Sequence, residues 1–272
     1  MTPAPVSAIV PVFGAQETLE RALRSIAAQT TPPAEILLVD DGNREPAFLH
    51  ALAARTPTAR VITLPQNRGP ASARNAGWAE AKERYVAFLD ADDAWHPRKL
   101  EVQVAWMERE PGVLVSGHRI RVLAAAGSAA FAGSEVGEVR ASSFSAARVL
   151  AINPFATPTV LVRRDCGFRF REGMRHTEDH ALWMEMAVSG CRIVRLEAEL
   201  AAIFKPLLSA QGQSSQLWAM ERGELDAYRY LKTIGKLGAA ATLGLSALSL
   251  VKFVRRLLLV RVLQPLFKRP GS

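Results

Sequence analysis

Three aspartates stand close together at the end of one apolar segment of this sequence. Residues 85–89 have strand character and are followed directly by Asp90, Asp92 and Asp93. Carboxylates this close repel one another unless a cation neutralises them. Mg²⁺ and Mn²⁺ prefer oxygen ligands, and Mg²⁺ usually shares its coordination shell with substrate phosphates. The cluster therefore predicts a site for Mn²⁺ or Mg²⁺, with a solvated acidic turn as the ordinary alternative.

Two further segments carry residues that suit a nucleotide. Asp40 and Asp41 end an apolar run, and Gly42 allows a sharp turn after them. Arg74 lies one turn inside a predicted helix, whose N-terminus favours negative charge through its unpaired N–H groups. Phe13, at the end of the first apolar run, is suited to stacking on a flat base. Each residue alone also has a structural explanation, as a turn former, a surface residue or a core aromatic.

The elements that must position these residues alternate regularly over the first hundred positions. Apolar runs with strand character occupy 6–13, 36–40, 60–64 and 85–89, and helical spacing occupies 16–29, 46–55, 70–82 and 97–110. Alternation at this spacing predicts a parallel sheet with helices on its faces. Right-handed crossovers then bring the carboxyl ends of the strands, with their acids, to one edge where ligands bind.

The second half of the sequence is less regular. Strand character recurs at 113–123, 159–163 and 192–196, and helical periodicity at 178–189 and 217–231. The stretch 124–137 is rich in Ala, Gly and Ser and predicts a loop.

Four motifs in a fixed order carry a resemblance to a known family. They are Pro11-Val12-Phe13, Val39-Asp40-Asp41-Gly42, Asn67-x-Gly69 with Ala73-Arg74-Asn75-x-Gly77, and Asp90-x-Asp92-Asp93-x-Trp95-x-Pro97. This series resembles family 2 of the inverting glycosyltransferases, strongly over 5–110 and more weakly to about 232. The resemblance implies an α/β protein with the GT-A nucleotide-diphospho-sugar transferase fold and a mostly parallel central sheet flanked by helices. It predicts a GT-A domain (1–232) with nucleotide-sugar (5–110) and acceptor (111–232) parts. The composition of residues 233–272 predicts a basic apolar helical tail after that domain.

The resemblance implies a role for each matching position. It assigns the nucleotide-sugar donor to Pro11, Phe13, Asp40, Asp41, Arg74 and Asp90, and the metal that bridges the diphosphate to Asp92. Phe13 takes the place of an aromatic that stacks near uracil. The family more often has tyrosine followed by asparagine there, so any hydroxyl or amide contact at that spot is lost with Phe13-Gly14.

An inverting transferase also needs a base that deprotonates the acceptor hydroxyl. Thr177-Glu178-Asp179 is similar to the family's x-E-D element at the start of a helix. The resemblance makes Asp179 the candidate base and places Glu178 and Trp95 at the acceptor site, with Glu178 supporting either the acceptor or the helix N-terminus. Acids in a first helical turn are also common as caps and partners of the helix dipole, which is the ordinary alternative.

Charge is distributed unevenly along the sequence. After Asp226 there are nine basic and no acidic residues, which leaves 25 basic against 26 acidic residues before that point. The near-neutral body argues against a nucleic-acid-binding face. Two cysteines without metal-binding spacing and the absence of a secretory pattern in residues 1–5 predict a cytoplasmic protein.

The uncharged stretch 237–251 reaches only about 22 Å as a helix, less than the ~30 Å of a bilayer core. Lys252, Arg255 and Arg256 follow and share one side of the helix. This pattern favours a helix lying on an anionic membrane at its inner face; a docking or oligomer helix and a true span are the alternatives.

Taken together, the sequence predicts transfer of a single sugar from a nucleotide-diphosphate sugar, foremost a UDP-sugar, to a glycan or lipid-linked acceptor in cell-surface polysaccharide synthesis. A sugar-phosphate nucleotidylyltransferase would need a Gly-rich loop near the first strand, which this sequence lacks. A catalytically silent membrane-associated scaffold is disfavoured by the retained Asp90, Asp92 and Asp179. The sugar, the linkage and the oligomeric state are left open.

Overall fold

The computed structural model describes residues 2–123, 131, 135–204 and 217–267. Its first half is a four-stranded parallel sheet in the order β3-β2-β1-β4. The strands are β1 (Ala4–Val12), β2 (Pro33–Asp40), β3 (Ala59–Thr63) and β4 (Tyr85–Phe88), and the intervening helices are α1 (Gln16–Ala27), α2 (Ala47–Arg55) and α3 (Pro70–Glu80). The predicted strand–helix alternation is confirmed, and the carboxyl ends of the strands share one edge.

The second half extends the same sheet with mixed pairing. β8 (Leu161–Arg163) joins β4 antiparallel, and β6 (Val115–Val122) and β9 (Ile193–Ile203) continue beyond it as a parallel pair. Two short strands, β5 (Ala94–Trp95) and β7 (Ala141–Phe144), pair antiparallel with β9. The mostly parallel sheet predicted from the sequence is confirmed: its first four strands are parallel, and the pairing becomes mixed beyond them. The predicted loop 124–137 lies mostly outside the described residues.

Five further α-helices lie in the part of the chain that the structure describes: α4 (Lys99–Arg109), α5 (Ala146–Ala151), α6 (Glu178–Val188), α7 (Leu217–Thr233) and α8 (Ala239–Phe267). Both faces of the parallel sheet are buried under helices. Ile9 and Val86 belong to the core on one face, whereas Val10 and Ala87 belong to the core on the other. Near-continuous apolar strands of this kind are typical of a sheet covered on both sides.

The C-terminal helix α8 packs against α7 and turns Ser249 and Lys252 toward the body. Lys252 donates from Nζ to Glu224 Oε1 at 2.8 Å, and Ser249 donates from Oγ to Glu221 Oε1 at 2.9 Å. The ring of Phe253 packs edge-on against the ring of Trp218 on α7. No helix among the described residues combines the length and apolarity needed to cross a membrane.

A buried lysine lies between α4 and the sheet. Lys99 has no exposed surface; its Nζ donates to Gln103 Oε1 at 3.0 Å and lies 4.3 Å from the centroid of the Trp95 ring. Gln103 in turn donates to the carbonyl oxygens of Ser116 and Thr159. Because burial disfavours the charged ammonium, the pKa of Lys99 falls from 10.5 to about 7.

This burial predicts a pH-dependent contribution to stability. Between pH 7 and 10.5 the unfolded chain binds more protons at this site than the folded protein, so the free energy of unfolding rises with pH in that window. The wild-type free energy of unfolding should rise by up to about 1.4 kcal/mol per pH unit because of this lysine, and we expect this rise to be absent in Lys99→Met. Urea unfolding at about pH 7.5 and about pH 9.5 measures the difference; an equal gain in both proteins would contradict it.

Candidate active site

A cavity of about 1100 Å³ lies at the carboxyl edge of the parallel sheet, between β1, β4, α6 and α8. Most of the residues singled out from the sequence line it: Pro11, Phe13, Asp41, Arg74, Asp90, Asp92 and Asp179. Asp40, Glu178 and Trp95 do not. The fold thus brings together side chains from both halves of the chain, and the contacts of each show what it is able to do.

Phe13 presents its ring to the cavity and is 61% exposed. The loop behind it is tied to β1 by Asn43, which accepts from the Gly14 N–H at 2.8 Å and donates to the Val12 carbonyl at 2.9 Å. Asp40 is buried, and its Oδ1 accepts from both the backbone and the side-chain nitrogens of Asn43. Asp40 is thus not part of the cavity lining, and its Oδ1 braces the loop that carries the cavity wall; its contact with the base stays a prediction.

Asp41 lines the cavity and also joins two loops. Its carboxylate accepts from the N–H groups of Arg68 at 2.7 Å and Gly69 at 2.9 Å, and from Asn67 Nδ2 at 3.0 Å. Burial raises the pKa of Asp41, against the effect of the two N–H donors. Gly42 has a φ of +77°, and a Cβ there would lie 2.5 Å from the backbone nitrogen of Asn67. A carboxylate has about four acceptor positions, so roughly one remains for a ligand donor.

Arg74 connects the two halves of the site. Its buried guanidinium donates from Nη2 to Asp90 Oδ1 at 2.7 Å and from Nη1 to Glu178 Oε1 at 2.8 Å. Burial opposes its charge, but the two carboxylates prevail and raise the pKa of Arg74. Burial raises the pKa of Glu178, and the positive charge of Arg74 partly offsets this rise. Glu178 is buried and anchors the start of α6 to Arg74, in keeping with its predicted role at the helix N-terminus; its role toward an acceptor stays a prediction.

Asp90 and Asp92, two of the three aspartates that follow β4 and line the cavity, supply oxygen donors of the kind that a hard divalent cation needs. Asp90 and Asp92 are half-buried and line the cavity, and the Asp92 carbonyl accepts from Arg21 Nη2 at 2.6 Å. The described residues contain no cluster of three or more potential metal ligands. Mg²⁺ commonly takes one or two carboxylates and completes its shell with phosphates and water, so the pair fits such an ion.

Asp179 lies in the first turn of α6 and faces the cavity. Its Oδ2 accepts from Asn153 Nδ2 at 3.2 Å and Thr157 Oγ1 at 3.3 Å, and its Oδ1 accepts from the backbone N–H of His180 at 2.6 Å. Burial raises the pKa of Asp179. A carboxylate with a raised pKa in a cavity is suited to accept a proton. Asn153 and Thr157 carried no signal in the sequence, because they come from an irregular segment after α5.

Trp95 is fully enclosed in the core, and its Nε1 donates to the Pro158 carbonyl at 2.9 Å. The expectation that it contacts an acceptor is corrected for this reason. The indole instead supports the segment that holds Thr157 beside Asp179. At the other end of the cavity, α8 contributes Lys252 and Arg256, which the sequence had suggested for a membrane surface.

Comparison with protein families places residues 7–135 under the model for glycosyl transferase family 2. Among curated relatives, the chain is 33% identical over 102 residues to the Escherichia coli UDP-Glc:α-D-GlcNAc-diphosphoundecaprenol β-1,3-glucosyltransferase WfgD, covering 38% of this chain and 40% of that protein. The chain spans only 30% of the length of uncharacterized glycosyltransferases from Rickettsia conorii and Rickettsia felis, to which it is 30% identical.

Two solved structures share the fold. Staphylococcus aureus TarS 1–349 in complex with UDP-GlcNAc aligns with a TM-score of 0.68 at 20% identity, over 92% of this chain and 72% of that one. Mannosyltransferase PcManGT from Pyrobaculum calidifontis, in complex with GDP-Man and Mn²⁺, aligns with a TM-score of 0.66 at 18% identity, over 100% and 79%. These likenesses confirm the predicted GT-A architecture.

The contacts of Arg74 predict a coupled loss of stability. Arg74→Met leaves Glu178 buried without its cation, which lowers the free energy of unfolding by about 3–5 kcal/mol. The double variant Arg74→Met/Glu178→Gln removes the stranded charge as well and should regain a measurable part of that loss. Denaturant unfolding of the two single variants and the double variant completes the cycle. A double variant whose loss equals the sum of the single losses would contradict this coupling.

Proposed function

This chain belongs to glycosyl transferase family 2, and on that premise we propose that it transfers one sugar from a nucleotide-diphosphate sugar to a glycan or lipid-linked acceptor, with inversion at the anomeric carbon. The observation that carries the proposal is one cavity lined by an exposed aromatic ring, a pair of carboxylates suited to a divalent cation, and a separate carboxylate with a raised pKa. These are the parts that such a transfer requires.

The donor occupies the side formed by residues 5–110. Phe13 stacks on the base, and the remaining acceptor position of Asp41 takes a donor group of the nucleoside. UDP is the first choice of nucleotide, supported by the likeness to TarS, whose structure contains UDP-GlcNAc. Asp90 and Asp92 would hold Mn²⁺ or Mg²⁺, and when bound this ion neutralises the diphosphate leaving group. The Mn²⁺ in the PcManGT complex supports this choice of cofactor.

Asp179 acts as the general base from the side formed by residues 111–232. Its carboxylate accepts the proton of the acceptor hydroxyl as that oxygen attacks the anomeric carbon, and Asn153 and Thr157 hold it in place. The raised pKa brings the carboxylate closer to the operating pH, where a general base is most effective. Attack from the face opposite the leaving diphosphate inverts the configuration in a single displacement.

The acceptor is proposed to be a glycan intermediate held at the inner face of the cell membrane, in cell-surface polysaccharide synthesis. WfgD, whose name specifies a diphosphoundecaprenol-linked acceptor, supports a lipid-linked molecule of this type. The outer face of α8, away from the body, is apolar and exposed and comprises Leu243, Leu250, Val251, Val254 and Leu258. We propose that this outer face enters the hydrocarbon boundary of the membrane.

The assignment of the base predicts a specific loss of activity. Asp179→Asn should lower transfer by about 10²- to 10⁴-fold while leaving Mn²⁺-dependent UDP binding unchanged. Because the carboxylate must be ionised, wild-type transfer should fall as the pH drops through the pKa of Asp179, which lies above the ordinary 3.8. Binding is followed as protection against thermal unfolding, and transfer with the nucleotide sugar that protects best.

Asp165→Asn provides the control, since that side chain is 83% exposed and lies outside the cavity. Near wild-type transfer by Asp179→Asn would refute the assignment of the base.

The outer face of α8 predicts membrane binding that depends on one side of the helix. Leu250 and Leu248 are exposed to almost the same extent, at 45% and 44%, but point to opposite sides because each residue turns the helix by about 100°. Leu250→Asp should reduce co-sedimentation with anionic vesicles several-fold more than Leu248→Asp, since only the former puts a charge into the membrane boundary. Equal losses would count against the proposed orientation.

A further inference from the structure

We propose that the acceptor carries a phosphate group, and that Arg256 on the body side of α8 binds it. The inference rests on the proposed transfer and adds the chemical class of the acceptor and the residue that recognises it. It follows from where α8 places its cations: Lys252 and Arg256, one turn apart, line the same cavity as Asp179, whereas Arg255 between them is exposed and lies outside it.

The two cations differ in how far their charge is already balanced. Lys252 donates to Glu224 Oε1 and to the Ala151 carbonyl, both at 2.8 Å. Burial tends to raise the pKa of Glu224, but Lys252 and the hydroxyl of Tyr228 outweigh it and lower that pKa, so the pair stays ionised. The positive charge of Lys252 is thereby matched by the negative charge of Glu224.

Arg256 has no hydrogen bond or ion pair to any residue that the structure describes. Two other titratable groups lie near it or line the same end of the cavity. Glu221 accepts from Ser249 Oγ. Burial raises the pKa of Glu221, and the nearby charge of Arg256 acts in the opposite direction. His180 bonds through Nε2 to the Val149 carbonyl, and burial lowers its pKa, which favours the neutral ring. The guanidinium is therefore available to an anion, and its planar fork matches two oxygens of a phosphate.

The end of the cavity formed by Lys252 and Arg256 lies beside the segment that holds Asp179, so an acceptor bound at the base extends toward it. Lys252 bonds to the Ala151 carbonyl, and Asn153, two residues further on, donates to Asp179 Oδ2. Two residues span at most about 7 Å of backbone, so one short segment carries both the contact of Lys252 and a contact of the base, in the wall of the same cavity. A sugar whose reacting hydroxyl meets Asp179 points its other end toward α8, where an anomeric phosphate would lie against Arg256. The diphosphate of the donor belongs at Asp90 and Asp92, on another wall of the cavity.

The opposite side of the same helix explains why a phosphate would be joined to a lipid. The outer face of α8 is apolar, and Arg256 lies on the inner side of that helix. A chain attached to a phosphate at Arg256 leaves the cavity beside α8 and reaches the apolar surface that the outer face offers. The acceptor class is thus a sugar linked through a phosphate or diphosphate to a lipid.

The test measures binding of two amphiphiles with the same alkyl chain, dodecyl diphosphate and dodecyl glucoside, to the full chain saturated with UDP and Mn²⁺. Filling the donor site first leaves only a second anion site to be measured. Arg256→Gln should weaken binding of dodecyl diphosphate about 10- to 100-fold, and that of dodecyl glucoside little. Arg255→Gln is the matched control, since it removes an equal charge from the neighbouring position of the same helix.

Three results would overturn the inference. The first is equal affinity of both variants for dodecyl diphosphate. The second is a loss of UDP affinity in Arg256→Gln, which would assign the residue to the donor. The third is a larger loss of binding to phosphatidylglycerol vesicles in Arg256→Gln than in Arg255→Gln, which would assign it to phospholipid headgroups.

A failure of the proposed transfer is measured separately: in that case UDP and Mn²⁺ would not protect the wild-type protein against thermal unfolding. In that case binding of dodecyl diphosphate is compared between the same two variants without nucleotide.

Discussion

A single buried guanidinium holds the two halves of this site in register. Arg74 lies on α3 in the first half of the chain. It binds Asp90 after β4 and Glu178 at the start of α6, which is 104 residues further along the chain. Burying the charges of Arg74 and Glu178 is costly, and mutual attraction offsets that cost only when the geometry is good and the hydrogen bonds are complete. An arginine satisfies two carboxylates at fixed angles, which the single ammonium of a lysine does not. Because Asp179 follows Glu178 directly, the bridge also fixes the distance between the metal-side carboxylates and the base.

Asp41 in the cavity wall and Asp40 behind it both hold loops at the edge of the cavity. Asp40 accepts two hydrogen bonds from Asn43. Asp41 uses about three of its four acceptor positions to accept from the 67–69 segment. Gly42 makes that junction possible, since any side chain there would collide with the neighbouring backbone. A rigid edge of this kind lets one exposed ring, Phe13, meet a flat base without an ordering cost at the moment of binding.

The first half of the molecule follows from the sequence more closely than the second, for a physical reason. Strand–helix alternation and acids at strand ends are local patterns, so the residue order alone predicts the parallel sheet and the edge bearing Asp90 and Asp92. The partners of a side chain are not local. Nothing near Trp95 in the sequence indicates that its indole bonds to Pro158, and nothing near Asp179 points to Asn153 and Thr157. Short strands such as β5 and β7 leave no periodic signal.

The C-terminal helix shows why composition alone misplaced its cations. Lys252, Arg255 and Arg256 look like one basic patch when projected on a wheel, and such a patch suggests an anionic surface. In the fold, α7 offers Glu221 and Glu224 to one side of the helix, and these acids turn Lys252 and Ser249 inward. Among the described residues the outer face of α8 is apolar and is flanked by the exposed Arg255, so contact with a membrane would combine buried area with charge. The same turn brings Lys252, paired with Glu224, and Arg256 to the cavity wall. A cavity polarised in this way can separate two anions: a donor diphosphate drawn to the metal side, and an acceptor phosphate drawn to α8.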